Sequence, residues 1–278
     1  MQRDDPNKAG ALLFRGQTRV MGILNVTPDS FSDGGLWSKK DQAVRHALEM
    51  AGAGADIIDV GGESTRPGAS EVALQQELDR VVPLVESIVA ETDRVVSVDT
   101  SKPEVMAAAV AAGAGMINDV CALRREGALE IASKLAVPVC IMHMQGMPRD
   151  MQQAPEYQDV VQDVLGFLLQ RARDCQQAGI SARQIIIDPG FGFGKTLQHN
   201  IDLFHALPQF VASEYPVLVG VSRKSMLGQL SGKSVDRRLA ASLSAAVLAA
   251  QAGVAILRVH DVAETVDSMR IVKTLQFD

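Results

Sequence analysis

Cysteine is scarce in this chain: Cys121, Cys140 and Cys175 are widely spaced and odd in number. That excludes a disulfide framework or a zinc ribbon and reads as free thiols in a reducing compartment. Basic charge is short too, with 27 Lys+Arg against 33 Asp+Glu, a net charge of -6. A nucleic-acid partner, which needs a basic face, is therefore not expected, and any anion site must be local. No Pro/Ser-rich linker, charge run or low-complexity tract divides the 278 residues, so one domain is expected. The polar, acid-bearing residues 1–10 do not form a secretory signal. The one long apolar window, Leu239 to Leu257, contains Ser242, Ser244, Gln251 and Gly253, and reads as a small-residue helix followed by a buried strand rather than a membrane span. A cytoplasmic protein with no membrane partner is expected.

Several catalytic signatures are missing as well. There is no H-E-x-x-H and no zinc-type Cys/His spacing among the five histidines, so a dedicated transition-metal cage is not expected. Gly220-Val221-Ser222-Arg223-Lys224 lacks the last glycine of a G-x-S-x-G elbow, which argues against covalent catalysis by Ser222. The Gly-Lys-Thr at 194 to 196 suggests a phosphate loop, but Pro189 stands where G-x-x-x-x-G-K-[ST] needs its first glycine. What remains there is a short apolar strand ending on Asp188, followed by glycines that allow close backbone approach.

The same plan recurs along the chain. Eight short apolar runs are candidate strands: 20–26, 55–60, 95–98, 116–117, 138–142, 184–187, 216–221 and 254–259. Between them lie longer amphipathic segments with start signals resembling capping boxes at Ser38/Asp41, Ser101/Glu104 and Asp261/Glu264. Glycines at 52, 54, 113, 179 and 253 mark helix ends. Three near-repeats, at 53–59, 114–119 and 252–260, share one order of helix end, tight turn, buried strand and polar tip. Eight alternating units in roughly 250 residues predict an α/β fold, a single-domain (β/α)8 TIM barrel over residues 20–278, behind an N-terminal extension, residues 1–19, with a turn at 14–17. An open doubly wound sheet is the alternative, but no G-x-G-x-x-G follows an early strand.

Barrel enzymes carry their sites at the carboxyl ends of the strands. Here the strand tips are Asn25, Asp59, Asp99, Asn118, His143, Asp188, Ser222 to Lys224, Arg258 and His260. Any one acid, amide or hydroxyl could merely cap the next helix. Lys224, Arg258 and His260 cannot, and Arg258 sits within an apolar run where an unpartnered charge is costly. An anionic ligand follows. The polar, glycine-dense loops 27–35 and 61–68 read as mobile covers on this face, with Trp37 closing the first.

Taken together, M-G-I-L-N-V-T-P-D-S-F-S-D-G-G at 21–35, D-V-G-G-E-S-T-R-P-G at 59–68, S-V-D-T at 97–100, I-N-D at 117–119, D-P-G-F-G-F-G-K at 188–195, S-R-K-S at 222–225 and R-V-H at 258–260 closely resemble the dihydropteroate synthase family. The resemblance implies a transferase joining 4-aminobenzoate to a dihydropterin methyl carbon, with diphosphate leaving. It implies a pterin site of Asp99, Asn118, Asp188, Lys224 and Met142, and an arylamine pocket of Thr65, Pro67, Phe193 and Ser222. Asn25, Arg66, Arg258 and His260 would meet the diphosphate, with Mg²⁺ bound through Asn25. Asp99, Lys224, Arg258 and Asn25 would act in catalysis, and a homodimer is implied. Competing expectations are a pterin-binding methyltransferase-type barrel, a catalytically inactive pterin-binding homologue and a Schiff-base aldolase using Lys224.

Overall fold

The structure, a computed structural model, describes residues 16–26, 36–64, 68–69, 71–146 and 151–275, the side chains of 36–39 excepted. The strands are β1 (Arg19–Asn25), β2 (Ile57–Gly61), β3 (Val95–Asp99), β4 (Met116–Asp119), β5 (Val139–Met142), β6 (Ile185–Asp188), β7 (Leu218–Val219) and β8 (Ile256–Val259). Between and after them lie α1 (Leu36–Ala53), α2 (Leu74–Glu91), α3 (Pro103–Ala111), α4 (Ala128–Leu135), α5 (Val160–Gln177), α6 (Leu197–His205), α7 (Leu207–Val211), α8 (Ser225–Ser231), α9 (Leu239–Gln251) and α10 (Val262–Leu275). All strand pairs are parallel, in the order β6-β5-β4-β3-β2-β1-β8-β7. The Ile187/Val217 bridge joins β6 to β7 and closes the ring. The fold is a single-domain (β/α)8 barrel, as expected.

Register places the site. One apolar side chain from each strand, Met21, Ile57, Val95, Met116, Cys140, Ile186, Leu218 and Ile256, packs into a buried plug on the barrel axis. Side chains two residues further along a strand face the same way. Ile57 therefore leads to Asp59, Met116 to Asn118, Cys140 to Met142, Ile186 to Asp188 and Ile256 to Arg258. Relative to the plug, the pairing slips by two residues at four seams, such as Ser97 against Met116 and Met21 against Arg258. This is the stagger of a (β/α)8 barrel, and it winds the polar residues around the mouth at different heights. The alternate residues, Ile58, Val60, Val98, Ile141 and Ile187 among them, pack outward in the larger core with the helices.

Some local expectations change. The seventh strand, expected over 216–221, shrinks to Leu218–Val219. Pro216 has no N–H to give to a ladder. Gly52 lies inside α1, whereas Gly54, Gly113, Gly179 and Gly253 take φ of 105°, 109°, 101° and 89° in the turn before the next strand. Ser38 falls within α1 instead of preceding it. Ser101 does not cap α3, since its hydroxyl donates to Asp119 and the N-cap position belongs to Lys102. Gly16 and Gln17 form a bend before β1, while the rest of the extension and the loop 27–35 lie outside the described residues.

Candidate active site

A cleft of about 1210 Å³ opens at the carboxyl ends of the strands. It is lined by Asn25, Asp99, Asn118, Met142, Asp188, Phe193, Ser222, Lys224, Arg258 and His260, which are the sequence-predicted site residues the structure describes. Thr65, Arg66 and Pro67 lie outside the described residues, so their assignment has no geometry here.

Asp59 organises one side of the mouth. It is fully buried, and its Oδ2 accepts from Asn118 Nδ2 at 3.1 Å and from Arg258 Nε at 2.6 Å. Arg258 Nη2 donates to Asp99 Oδ2 at 2.7 Å, so the guanidinium bridges two carboxylates. A planar fork with fixed donors suits such a bridge better than a lysine would. Burial opposes the Arg258 charge, but the two carboxylates outweigh it and raise the pKa.

The other side is built on β6 and the turns beside it. Asp188 Oδ1 accepts from the Gly190 amide at 2.7 Å, and its second oxygen has no partner among the described residues. Lys224 Nζ sits 4.1 Å from the centre of the Phe193 ring, a cation–π contact. Ser222 and Lys224 flank Arg223, whose φ of 58° is a strained conformation for a side-chain-bearing residue. Ser242 accepts from its amide at 3.0 Å, Arg238 donates to its carbonyl at 2.9 Å and Asp261 pairs with its guanidinium. That scaffold turns Lys224 and Ser222 toward the cleft. Ser222 Oγ lies 3.2 Å from both the amide and Nδ1 of His260.

Burial dominates the electrostatics. It raises Asp99 to about 7 against the lowering effect of Arg258, and Asp188 to about 6 against the Gly190 amide and the nearby lysines. It lowers Lys224 to about 8, helped by Arg258. Acids and bases therefore titrate close together at neutral pH, where small ligand-induced changes can move protons or charge.

Sequence reasoning missed three supports. Asp59 stood among the strand tips without a role. Lys195 was set aside with the failed phosphate loop, yet it is buried beneath the glycine turn that follows β6. The third is a cluster in which Lys102 contacts Glu63 and Glu77 while Thr100 Oγ1 donates to Glu77. Its members scatter through the sequence over unremarkable spacings, so only the fold brings them together.

A barrel whose mouth presents a buried carboxylate with an open oxygen, an oriented amide and a buried lysine offers acceptors, donors and charge to a polar small molecule, the arrangement of a barrel enzyme. The family described as "Pterin binding enzyme" matches residues 21–260. The dihydropteroate synthase of Escherichia coli strain K12 is 52% identical over 264 residues, covering 95% of this chain and 94% of that protein. A Xanthomonas albilineans dihydropteroate synthase structure with 4-aminobenzoic acid superposes with a TM-score of 0.89 at 52% identity, covering 94% of each chain. Another from that organism, in complex with 7,8-dihydropteroate, gives 0.85 at 49% identity, covering 94% of this chain and 95% of that one. The chain belongs to the pterin binding enzymes and, within them, to the dihydropteroate synthases.

Proposed function

We propose that the residues of the cleft divide the work of a dihydropteroate synthase between ring recognition, charge stabilisation and amine placement. The reaction joins 4-aminobenzoate to the methylene carbon of a dihydropterin methyl diphosphate and releases 7,8-dihydropteroate and diphosphate. The observation that carries the reading is Asp188, buried at a strand end with one oxygen tied to Gly190 and the other open. An ionised carboxylate of this kind accepts paired N–H groups from the pterin edge. Asn118, oriented by Asp59, takes a second edge of the ring, Lys224 meets the ring carbonyl and Met142 packs against the ring face.

The C–O bond breaks with its electron pair leaving on the diphosphate, and positive charge develops on the pterin methylene. Asp99 stabilises that charge, and its bond to Arg258 keeps it facing the cleft. Arg258, His260 and Asn25 stabilise the leaving anion, with Arg66. The amine lone pair of 4-aminobenzoate then forms the C–N bond, and its proton passes to water or diphosphate. Phe193, Ser222, Thr65 and Pro67 border the amine. No group of three or more His, Cys, Asp or Glu suited to a metal ion occurs among the described residues. Asn25 offers one neutral oxygen at the cleft, which fits Mg²⁺ held mostly by substrate oxygens and water. Such an ion would offset charge on the leaving group.

The methyltransferase-type reading is not favoured, because relatives matching nearly the whole chain are dihydropteroate synthases. A diphosphate-release assay with and without Mg²⁺ and 4-aminobenzoate tests the assignment. Sustained, multiple-turnover release should require both. Tight binding of the dihydropterin diphosphate without turnover would instead indicate an inactive homologue. A homodimer is supported by exposed apolar side chains on the last helices, including Leu230, Leu239, Leu248, Ile271 and Leu275. Three buried free cysteines support a reducing, cytoplasmic setting, and no described helix is long and apolar enough to cross a membrane.

A further inference from the structure

After β6 the chain forms an arch, Gly190 to Gly194, that folds back on the segment leaving β5. Gly190 has φ of 69°, and a Cβ there would lie 2.0 Å from the His143 carbonyl oxygen. At Gly194, with φ of 63°, it would lie 2.6 Å from the Gln145 carbonyl oxygen. Only glycine allows this approach. Close approach alone does not hold two loop segments together, and the barrel ladder ends below the arch with the His143 amide donating to Asp188 O at 3.0 Å.

Lys195 supplies the hold. Its Nζ donates to the carbonyls of Gly190 and Phe193, both at 2.9 Å, and of His143 at 3.3 Å, and it lies 3.1 Å from His143 Nδ1. Burial, with Lys195 adding to it, keeps His143 neutral by lowering it to about 3, so its Nδ1 can accept. The charged groups facing Lys195 are Asp188 on β6 and Lys224 after β7, and neither is hydrogen-bonded to it. Burying an ammonium without a contacting carboxylate is costly. An apolar residue would fill the space more cheaply but would strand the His143 and Phe193 carbonyls, and would leave Gly190 O only the Phe193 amide at 3.1 Å. Lys195 Nζ thus ties both ends of the arch to the exit of β5, and the arch carries Phe193, whose ring lies under Lys224.

We propose that Lys195 is a positioning residue for the reaction, tying the arch 190–194 to His143 so that Phe193 stands at a fixed height between Lys224 and the arylamine. The proposal rests on the placement of Phe193 in the arylamine pocket. Asp188 keeps its anchor on the strand, so loss of the tie acts on the amine more than on the pterin.

The test compares the full-length enzyme with Lys195→Met, Lys195→Gln and Phe193→Ala. Lys195→Met is expected to raise KM for 4-aminobenzoate about ten-fold, the consequence of losing one to two buried hydrogen bonds' worth of order. The Kd for the dihydropterin diphosphate should stay within about three-fold. Lys195→Gln, which keeps an amide donor for part of the arch, should fall between wild type and Lys195→Met. Amide hydrogen exchange at 190–195 should speed up in both variants, with the rest of the barrel unchanged. Equal rises in both constants, unchanged exchange in the arch, or failure of both variants to fold would each overturn the proposal. Phe193→Ala separates the two assumptions. If it leaves the KM for 4-aminobenzoate unchanged, the pocket assignment has failed, whereas unchanged exchange in Lys195→Met marks failure of the tie itself.

Discussion

At the scale of single residues, Arg258 shows how one side chain serves both fold and chemistry. Its charge within an apolar run was legible in the sequence as a sign of an anionic partner. That two of its donors meet Asp59 and Asp99 inside the barrel was not legible, because the partners sit 199 and 159 residues away in the chain. Removing it leaves two buried carboxylates facing each other. Arg258→Ala is therefore expected to lower stability by about 3–5 kcal/mol, as for the loss of one partner of a buried pair. Turnover should fall by about 10²-fold or more, typical of losing one transition-state stabiliser. Urea unfolding and kcat, measured on the same preparation, check both. An unchanged unfolding midpoint would mean that Asp59 and Asp99 are solvated or protonated once the arginine is gone. Asp59 itself was visible as a strand tip like its neighbours. Its distinct role, aiming Asn118 and Arg258 without lining the cleft, depends on sitting one layer deeper, and depth follows from barrel stagger that no local pattern records.

At the scale of elements, the strands were legible because most are buried on both faces, which writes a short, mainly apolar run, and because a glycine takes the positive φ in the turn before four of them. Caps were less legible. The Ser101/Glu104 spacing fitted a capping box, but a buried acceptor, Asp119, took the hydroxyl instead. One residue on, Lys102 joins Glu63 in the loop after β2 to Glu77 on α2, and Thr100 adds a bond to Glu77 at 2.5 Å. Glu77 is 1% exposed, so the lysine neutralises a charge that water cannot reach. Lys102→Met should cost about 3–5 kcal/mol for that reason, and Lys102→Met with Glu77→Gln together should recover much of it. Chemical unfolding of the two variants decides the matter. If the double variant is no more stable than the single one, the cluster is held by packing and not by charge.

At the scale of the whole molecule, the mouth gathers two acids and two lysines in a setting that opposes their charged forms, and the pH dependence of stability should record it. Burial raises Asp99 to about 7 and Asp188 to about 6, above their unfolded value of 3.8. Between those limits the unfolded chain releases protons that the folded chain keeps, so this contribution is complete below about pH 4 and is lost as pH rises toward 7. Burial lowers Lys224 to about 8 and Lys195 to about 7, below 10.5. Their contribution has the opposite sign, present above about pH 10 and lost as pH falls through 8 and 7. The ligand-free barrel is thus least supported by its own mouth near neutral pH, where a substrate bringing complementary hydrogen bonds and charge has most to stabilise. Asp99→Asn removes one of these titrations. Urea unfolding of both proteins at several pH values from 4.5 to 7.5 should show the wild type losing stability relative to Asp99→Asn as pH rises. A difference that stays constant over that range would mean that Asp99 ionises near its ordinary value, with Arg258 offsetting the whole effect of burial.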